Sequence, residues 1–123
     1  MAPSVLVVDD DATIRELLRI HLSGAGYEVV LAENGIAAGY AVLRRRPDLI
    51  ISDVNMPHMD GFEFVAALRA EPSLTTIPVI FLTSEEEGGD RGKVLGAVGY
   101  ATKPILADRL LALVSQHLPS GAS

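Results

Sequence analysis

Two periods of apolar residues alternate along the chain. Val5–Val8 is an unbroken apolar run closed by acids, the pattern of a strand buried on both faces. Ile14, Leu17, Leu18 and Leu22 then recur at helical spacing, and the pattern ends at Gly24 and Gly26. The same two signals repeat to the end of the chain. Tyr27–Leu31, Leu49–Ile51 and Val79–Leu82 read as strands, with Val98–Ala101 a weaker fifth. Asn34 suits the cap of a helix carrying Ile36, Tyr40 and Leu43, which must stop before Pro47. Asp60 suits the cap of another, with Phe62, Val65 and Leu68, ending by Pro72. A final helix is predicted over Ile105–Leu118, with Leu106, Leu110, Leu113 and Val114 on one side. This alternation predicts an α/β fold: a doubly wound, five-stranded parallel sheet with helices on both faces.

One stretch departs from the pattern. A fourth helix is due between Thr83 and Lys103, yet Gly88, Gly89, Gly92, Gly96 and Gly99 all fall there. Each glycine inside a helix costs about 1 kcal/mol relative to alanine. The helix is therefore predicted to be short, loose or mobile. Residues 1–118 read as one domain, and the Pro-Ser-Gly-Ala-Ser stretch at 119–123 as a flexible tail.

Composition narrows the function classes. With 49% hydrophobic and 21% charged residues, 123 residues make one globular domain with a sizeable core. A formal charge of −6 argues against nucleic-acid binding by this domain, which would need a basic face. The one basic run, Arg44-Arg45-Arg46, closes a predicted helix; complementing its dipole is the favoured reading there over a phosphate-binding role. Absence of cysteine excludes disulfides and thiolate metal sites. No apolar run reaches membrane-spanning length and the N-terminus has no signal pattern, so the expectation is a soluble, cytoplasmic chain without a membrane partner.

Candidate chemistry sits at the strand ends. Asp9 and Asp10 follow VLVV, Asp53 follows LIIS, Thr83 follows VIFL, and Lys103 follows GYAT. Parallel strands of one open sheet would bring these ends to a single crevice, where such sheets bind ligands. An acidic pair alone could be a solvated helix cap, a job also open to Asp11. Asp53 adds a third carboxylate, and two like charges about 4 Å apart repel by roughly 4 kcal/mol at an effective dielectric of 20. Mg²⁺, or Mn²⁺ in its place, would relieve that repulsion through oxygen ligands. Three carboxylates, a hydroxyl and an ammonium suit a divalent cation together with a phosphoryl group.

Those segments carry a resemblance. VLVVDDDATIRELL is similar to the acidic-pair motif of response-regulator receiver domains, the CheY-like family. ISDVNMPHMDGFE resembles their phosphoacceptor strand and following loop, and FLTS and ATKP resemble the ends of their last two strands. The resemblance implies strand order 2-1-3-4-5. It implies that Asp53 accepts a phosphoryl group from a sensor histidine kinase or a histidine phosphotransfer protein. Asp10, Asp53 and the Asn55 carbonyl would bind Mg²⁺, with Asp9 helping directly or through water. Thr83 and Lys103 would contact the phosphoryl oxygens, and Lys103-Pro104 would be a cis peptide. Thr83 and Tyr100 would form the switch toward a downstream protein or output domain, through the face of the fourth helix, fifth strand and fifth helix. Asn55 and Glu85 would set a short phosphoform lifetime. A monomer, or a dimer formed on phosphorylation, is implied.

The chain also departs from the family pattern. Val98-Gly99 replaces the usual acidic pair before the aromatic, Ile105 stands where Phe often follows Lys-Pro, and the Thr83–Lys103 segment is short by roughly half a helical turn. These changes fall on the output face and leave the acidic pocket complete. His58 occupies a variable slot of the Asp53 loop, where exposure is expected. Two rivals remain. Asp9-Asp10-Asp11-Ala12-Thr13 also fits the D-x-D-x-T signature of haloacid-dehalogenase-type phosphatases, with Asp9 as nucleophile, Asp11 as acid/base, and Thr83 and Lys103 on phosphate. A receiver-like interaction module that takes no phosphate is the other.

Overall fold

VLVV forms an interior strand, next to one edge, of a sheet of five parallel strands. The computed structural model describes residues 2–56, 59–83 and 95–118. In chain order these form β1 (Ser4–Val8), α1 (Ala12–Gly24), β2 (Glu28–Ala32), α2 (Gly35–Arg44), β3 (Leu49–Asp53) and α3 (Gly61–Arg69). A 3₁₀ turn at Pro72–Leu74, β4 (Val79–Thr83), β5 (Gly99–Thr102) and a last helix α4 (Ala107–Ser115) complete them. The strand order is β2-β1-β3-β4-β5, as the resemblance implies. The fourth predicted helix, with Glu85 and three of its glycines, lies outside the described residues, as do His58 and the 119–123 tail. The predicted final helix is therefore α4 here.

Alternation along β1 builds both layers of core. Val5 and Val7 face α1 and α4 with Leu18, Leu22, Leu110 and Val114. Leu6 and Val8 face α2 and α3 with Ala38, Val42, Phe62 and Val65. Because β1, β3 and β4 are buried on both faces, their sequences are apolar at nearly every position. β2 is an edge strand, and of its five residues only Ala32 is buried.

Local signals end the helices where expected, with some differences. The Asn34 side chain accepts from the Ala37 N–H, and Asp60 forms a capping box with Glu63. Tyr27 precedes β2 instead of opening it, packing into the α1/α4 layer with its hydroxyl 3.5 Å from the Leu118 carbonyl. The last helix is shorter than predicted at both ends, and Leu106 sits at its N-cap, exposed. On α2 the predicted apolar positions are reversed: Gly35, Ala38 and Val42 are buried, whereas Ile36, Tyr40 and Leu43 face solvent. Small residues let α2 approach the sheet closely, and the large ones were left outside. Of the arginine run, Arg44 alone lies in the last turn of α2; Arg45 pairs with Glu28, and Arg46 bonds Ser73 and Thr76.

Candidate functional site

Parallel register sets the site. β1 pairs with β3 and β3 with β4, so the ends at Asp9, Asp53 and Thr83 lie side by side, and β5 delivers Lys103 just beyond Thr102. Asp9, Asp53 and Thr83 are buried, while Asp10 is exposed at the mouth. Carboxylate oxygens of Asp9, Asp10 and Asp53 lie within 4.8 Å of one another. The four strand ends singled out from sequence do converge.

Each carboxylate oxygen has a distinct neighbour. Asp9 Oδ1 accepts from the Asp11 N–H at 2.9 Å, and Asp53 Oδ1 accepts from the Asn55 N–H at 3.2 Å. The Lys103 ammonium lies 3.2 Å from Asp9 Oδ2 and 3.3 Å from Asp53 Oδ2, bridging the two strands. Asp9 Oδ2 is buried and makes no hydrogen bond of normal geometry, so the ion contact is what compensates it. The peptide between Lys103 and Pro104 is cis, as the resemblance implies.

Electrostatics show a pocket with more negative charge than it can hold comfortably. Burial pushes the Asp53 carboxyl up to about 6, with the Asp9 charge adding to the rise and Lys103 and the Asn55 N–H opposing it. Burial likewise raises Asp9 above the usual range. For Lys103, burial works to lower the pKa, but the attraction of Asp9 and Asp53 outweighs it and the ammonium is held above its ordinary value. Among the described residues, one cation therefore serves two buried acids. A second cation fits the arrangement: three carboxylates within reach, one with a buried oxygen lacking a hydrogen bond.

Two residues that shape the site were not singled out from sequence. Arg15, on the first turn of α1, donates to the Asp9 carbonyl at 2.7 Å and so holds the β1–α1 loop. No local pattern in the sequence marks it. Gly61 passes so close to β3 that a Cβ there would lie 2.1 Å from the Asp53 carbonyl oxygen, while its N–H bonds the Val54 carbonyl at 2.9 Å. Its signal was present as the glycine directly after the Asp60 cap.

Asp11 is occupied as the cap of α1, accepting from Thr13 N–H at 2.8 Å and Ile14 N–H at 3.4 Å. That role leaves Asp11 engaged at the helix cap and disfavours it as the acid/base of a phosphatase. Tyr100 is half-buried, its ring centroid 6.0 Å from that of Phe81, directly opposite in register. Asn55 is exposed beside the pocket.

Comparison with known proteins agrees with this geometry. The response regulator receiver domain model matches residues 5–115. The uncharacterized 14.6 kDa protein in the sodA1 3′ region of Leptolyngbya boryana is 42% identical over 115 residues, covering 92% of this chain and 88% of that protein. The phosphate regulon transcriptional regulatory protein PhoB of Pseudomonas aeruginosa is 39% identical over 111 residues, which is 89% of this chain but 48% of PhoB. The chain thus spans about half the length of several curated relatives that it matches. Among solved structures, chemotaxis protein CheY4 of Vibrio cholerae superposes with a TM-score of 0.91 at 41% identity, covering 96% of this chain and 100% of CheY4.

Proposed function

The chain belongs to the response regulator receiver domain family of two-component systems, and on that premise we propose that it is a switch phosphorylated on Asp53. The observation that carries this reading is the single Lys103 ammonium set between Asp9 Oδ2 and Asp53 Oδ2 at the mouth of the sheet. A carboxylate so placed is a nucleophile with a positive charge beside the space where phosphoryl oxygens would develop charge.

In the proposed reaction Asp53 attacks the phosphorus of a phosphohistidine on a sensor kinase or histidine phosphotransfer protein. A phosphorus–oxygen bond forms, the phosphorus–nitrogen bond breaks, and its electron pair leaves with the imidazole. Lys103 stays within reach of the acceptor and offsets the added negative charge. The Asn55 N–H fixes the other carboxylate oxygen, so the attacking oxygen is presented in one orientation. Thr83, closing β4 beside Asp53, supplies a hydroxyl to the phosphoryl group. Asp9, Asp10, Asp53 and the Asn55 carbonyl would hold Mg²⁺, which when bound offsets negative charge on the carboxylates and the phosphoryl oxygens.

The signal would leave along β5. A phosphoryl group adds about −1.5 to −2 charges, drawing Thr83 toward it, and Tyr100 would turn further inward against Phe81. The face of β5 and α4 then changes its affinity for a downstream protein or an attached output domain. A cytoplasmic setting follows from the proposed donor. We further propose a short-lived phosphoform from Asn55 and Glu85, the latter outside the described residues; slow loss of phosphate from purified protein would remove that part.

The test is intact mass after incubation with acetyl phosphate and Mg²⁺. One phosphoryl adduct on the wild type, absent from Asp53→Asn, is the expected result. Failure of both acetyl phosphate and a panel of phosphorylated kinases to modify Asp53 would leave the pseudo-receiver as the better reading.

A further inference from the structure

The outer face of α2 is apolar. Ile36, Tyr40 and Leu43 are 55%, 67% and 77% exposed, while the helix packs on the sheet through Gly35, Ala38 and Val42. At 100° per residue the three exposed side chains fall within an arc of about 60°, opposite the buried ones. A surface helix ordinarily places polar residues there. Three large apolar side chains at i, i+4 and i+7 keep most of their surface on the solvent side. They form a stripe along the whole helix.

Charges mark the two ends of that stripe. Glu33 stands just before the Asn34 cap, and Arg44 lies in the last turn; both are exposed. Neither has an ion-pair partner among the described residues, whereas the adjacent Arg45 is taken by Glu28.

We propose that this face is a self-association surface, on which the α2 helices of two copies pack antiparallel about a twofold axis near Tyr40. A twofold contact needs a patch complementary to itself. Run antiparallel, the stripe meets that condition: Tyr40 faces the second copy's Tyr40, Ile36 faces its Leu43, and Glu33 faces its Arg44. The centres of these three pairings agree to within about 2 Å along the helix. A parallel pairing would set Glu33 on Glu33 and Arg44 on Arg44, so charge selects the antiparallel one. One helix face buries less than the roughly 1,200 Å² of a stable specific interface. The dimer is accordingly weak and forms with rising concentration. No residue of the acidic pocket belongs to it.

The absence of cysteine makes the register testable. Sedimentation velocity on the whole chain over rising concentration should give a monomer–dimer equilibrium. Tyr40→Glu, which sets two like charges on the axis, should give monomer only. Glu33→Arg and Arg44→Glu should each weaken the dimer by roughly tenfold or more, and the two together should restore it. Under oxidation Tyr40→Cys should cross-link to itself, whereas Ile36→Cys should link to Leu43→Cys only when the two proteins are mixed. All these positions are exposed, and a thermal melt of each variant checks that it is folded. A wild type monomeric at every concentration overturns the proposal. So does a dimer that persists in Tyr40→Glu, which would place the contact on another surface, or a joint charge reversal no better than either alone.

Discussion

Asp53 is held where its ionisation is costly, and that cost has a pH signature. Burial and the Asp9 charge raise its pKa to about 6. The folded protein without metal therefore binds this proton more tightly than the unfolded chain does. The corresponding stability is fully present below the unfolded pKa and is lost as pH rises through about 6. Asparagine keeps the shape and removes the charge. In Mg²⁺-free buffer Asp53→Asn should be more stable than wild type by roughly 2–3 kcal/mol near pH 8, shrinking toward zero near pH 4. Urea melts at the two pH values check this, and a gain of equal size at both would show that charge is not its source. Gly61 has the opposite sensitivity. A Cβ 2.1 Å from the Asp53 carbonyl oxygen cannot be accommodated unless backbone shifts, so Gly61→Ala should cost at least about 2–3 kcal/mol and slow Asp53 phosphorylation. An alanine variant with unchanged melting and unchanged phosphorylation would contradict the close approach. Of these two residues, sequence singled out Asp53, because a lone acid ending an apolar run is conspicuous. Gly61 acts through a backbone distance that only the folded chain defines.

Elements were legible where burial is two-sided and uncertain where size and close approach decide. β1, β3 and β4 read correctly because every position faces a helix layer, leaving no room for a polar residue until the strand ends. α2 was placed correctly by its cap and its proline stop, but its faces were not, since periodicity weighs hydrophobicity and the sheet selected small volume at Gly35 and Ala38. The cap itself is a local contact: Asn34 Oδ1 accepts from the Ala37 N–H at 2.8 Å. Asn34→Ala should cost about 1 kcal/mol and Asn34→Asp almost nothing, measured by denaturant midpoint; equal losses would mean that Asn34 acts through something other than its oxygen. A longer-range tie was invisible in sequence. Arg69, at the end of α3, donates to the carbonyls of Thr75, Ile77 and Leu95 at 2.9, 2.8 and 2.8 Å. One side chain thus fixes the approaches to both β4 and β5, the strands that carry Thr83 and Tyr100. Arg69→Met keeps the stem and removes the donors. It should cost about 1–3 kcal/mol and speed amide exchange at Ile77 and Leu95 before it affects β1. Protection lost uniformly over the sheet would show general destabilisation instead.

On the scale of the whole molecule, five parallel strands gather their C-terminal ends into one crevice, in a chain of formal charge −6. Two effects of Mg²⁺ on stability follow, and they can be separated. Any salt screens the net charge and lessens self-repulsion over the whole surface, an effect that depends on ionic strength. Binding at Asp9, Asp10 and Asp53, as proposed, would instead stabilise by mass action, by about 2.7 kcal/mol at a hundredfold excess over Kd. Because Asp9 and Asp53 are both raised in pKa, protons compete with the cation at the same oxygens. The bound-ion gain should therefore be small near pH 5 and grow through the Asp53 pKa of about 6. Screening has no such midpoint. Asp10 separates the two further: it is exposed, so Asp10→Asn changes the overall charge slightly and leaves the core intact, yet it removes one of the three carboxylates. Thermal melts should show Mg²⁺ stabilising the wild type near pH 8 well beyond NaCl of matched ionic strength, and stabilising Asp10→Asn no more than NaCl does. If matched NaCl reproduced the whole effect, the three carboxylates would be a cluster tolerated by the fold, with Lys103 and backbone N–H groups compensating Asp9 and Asp53, and the metal would drop out of the proposed chemistry while the Asp53 nucleophile remained.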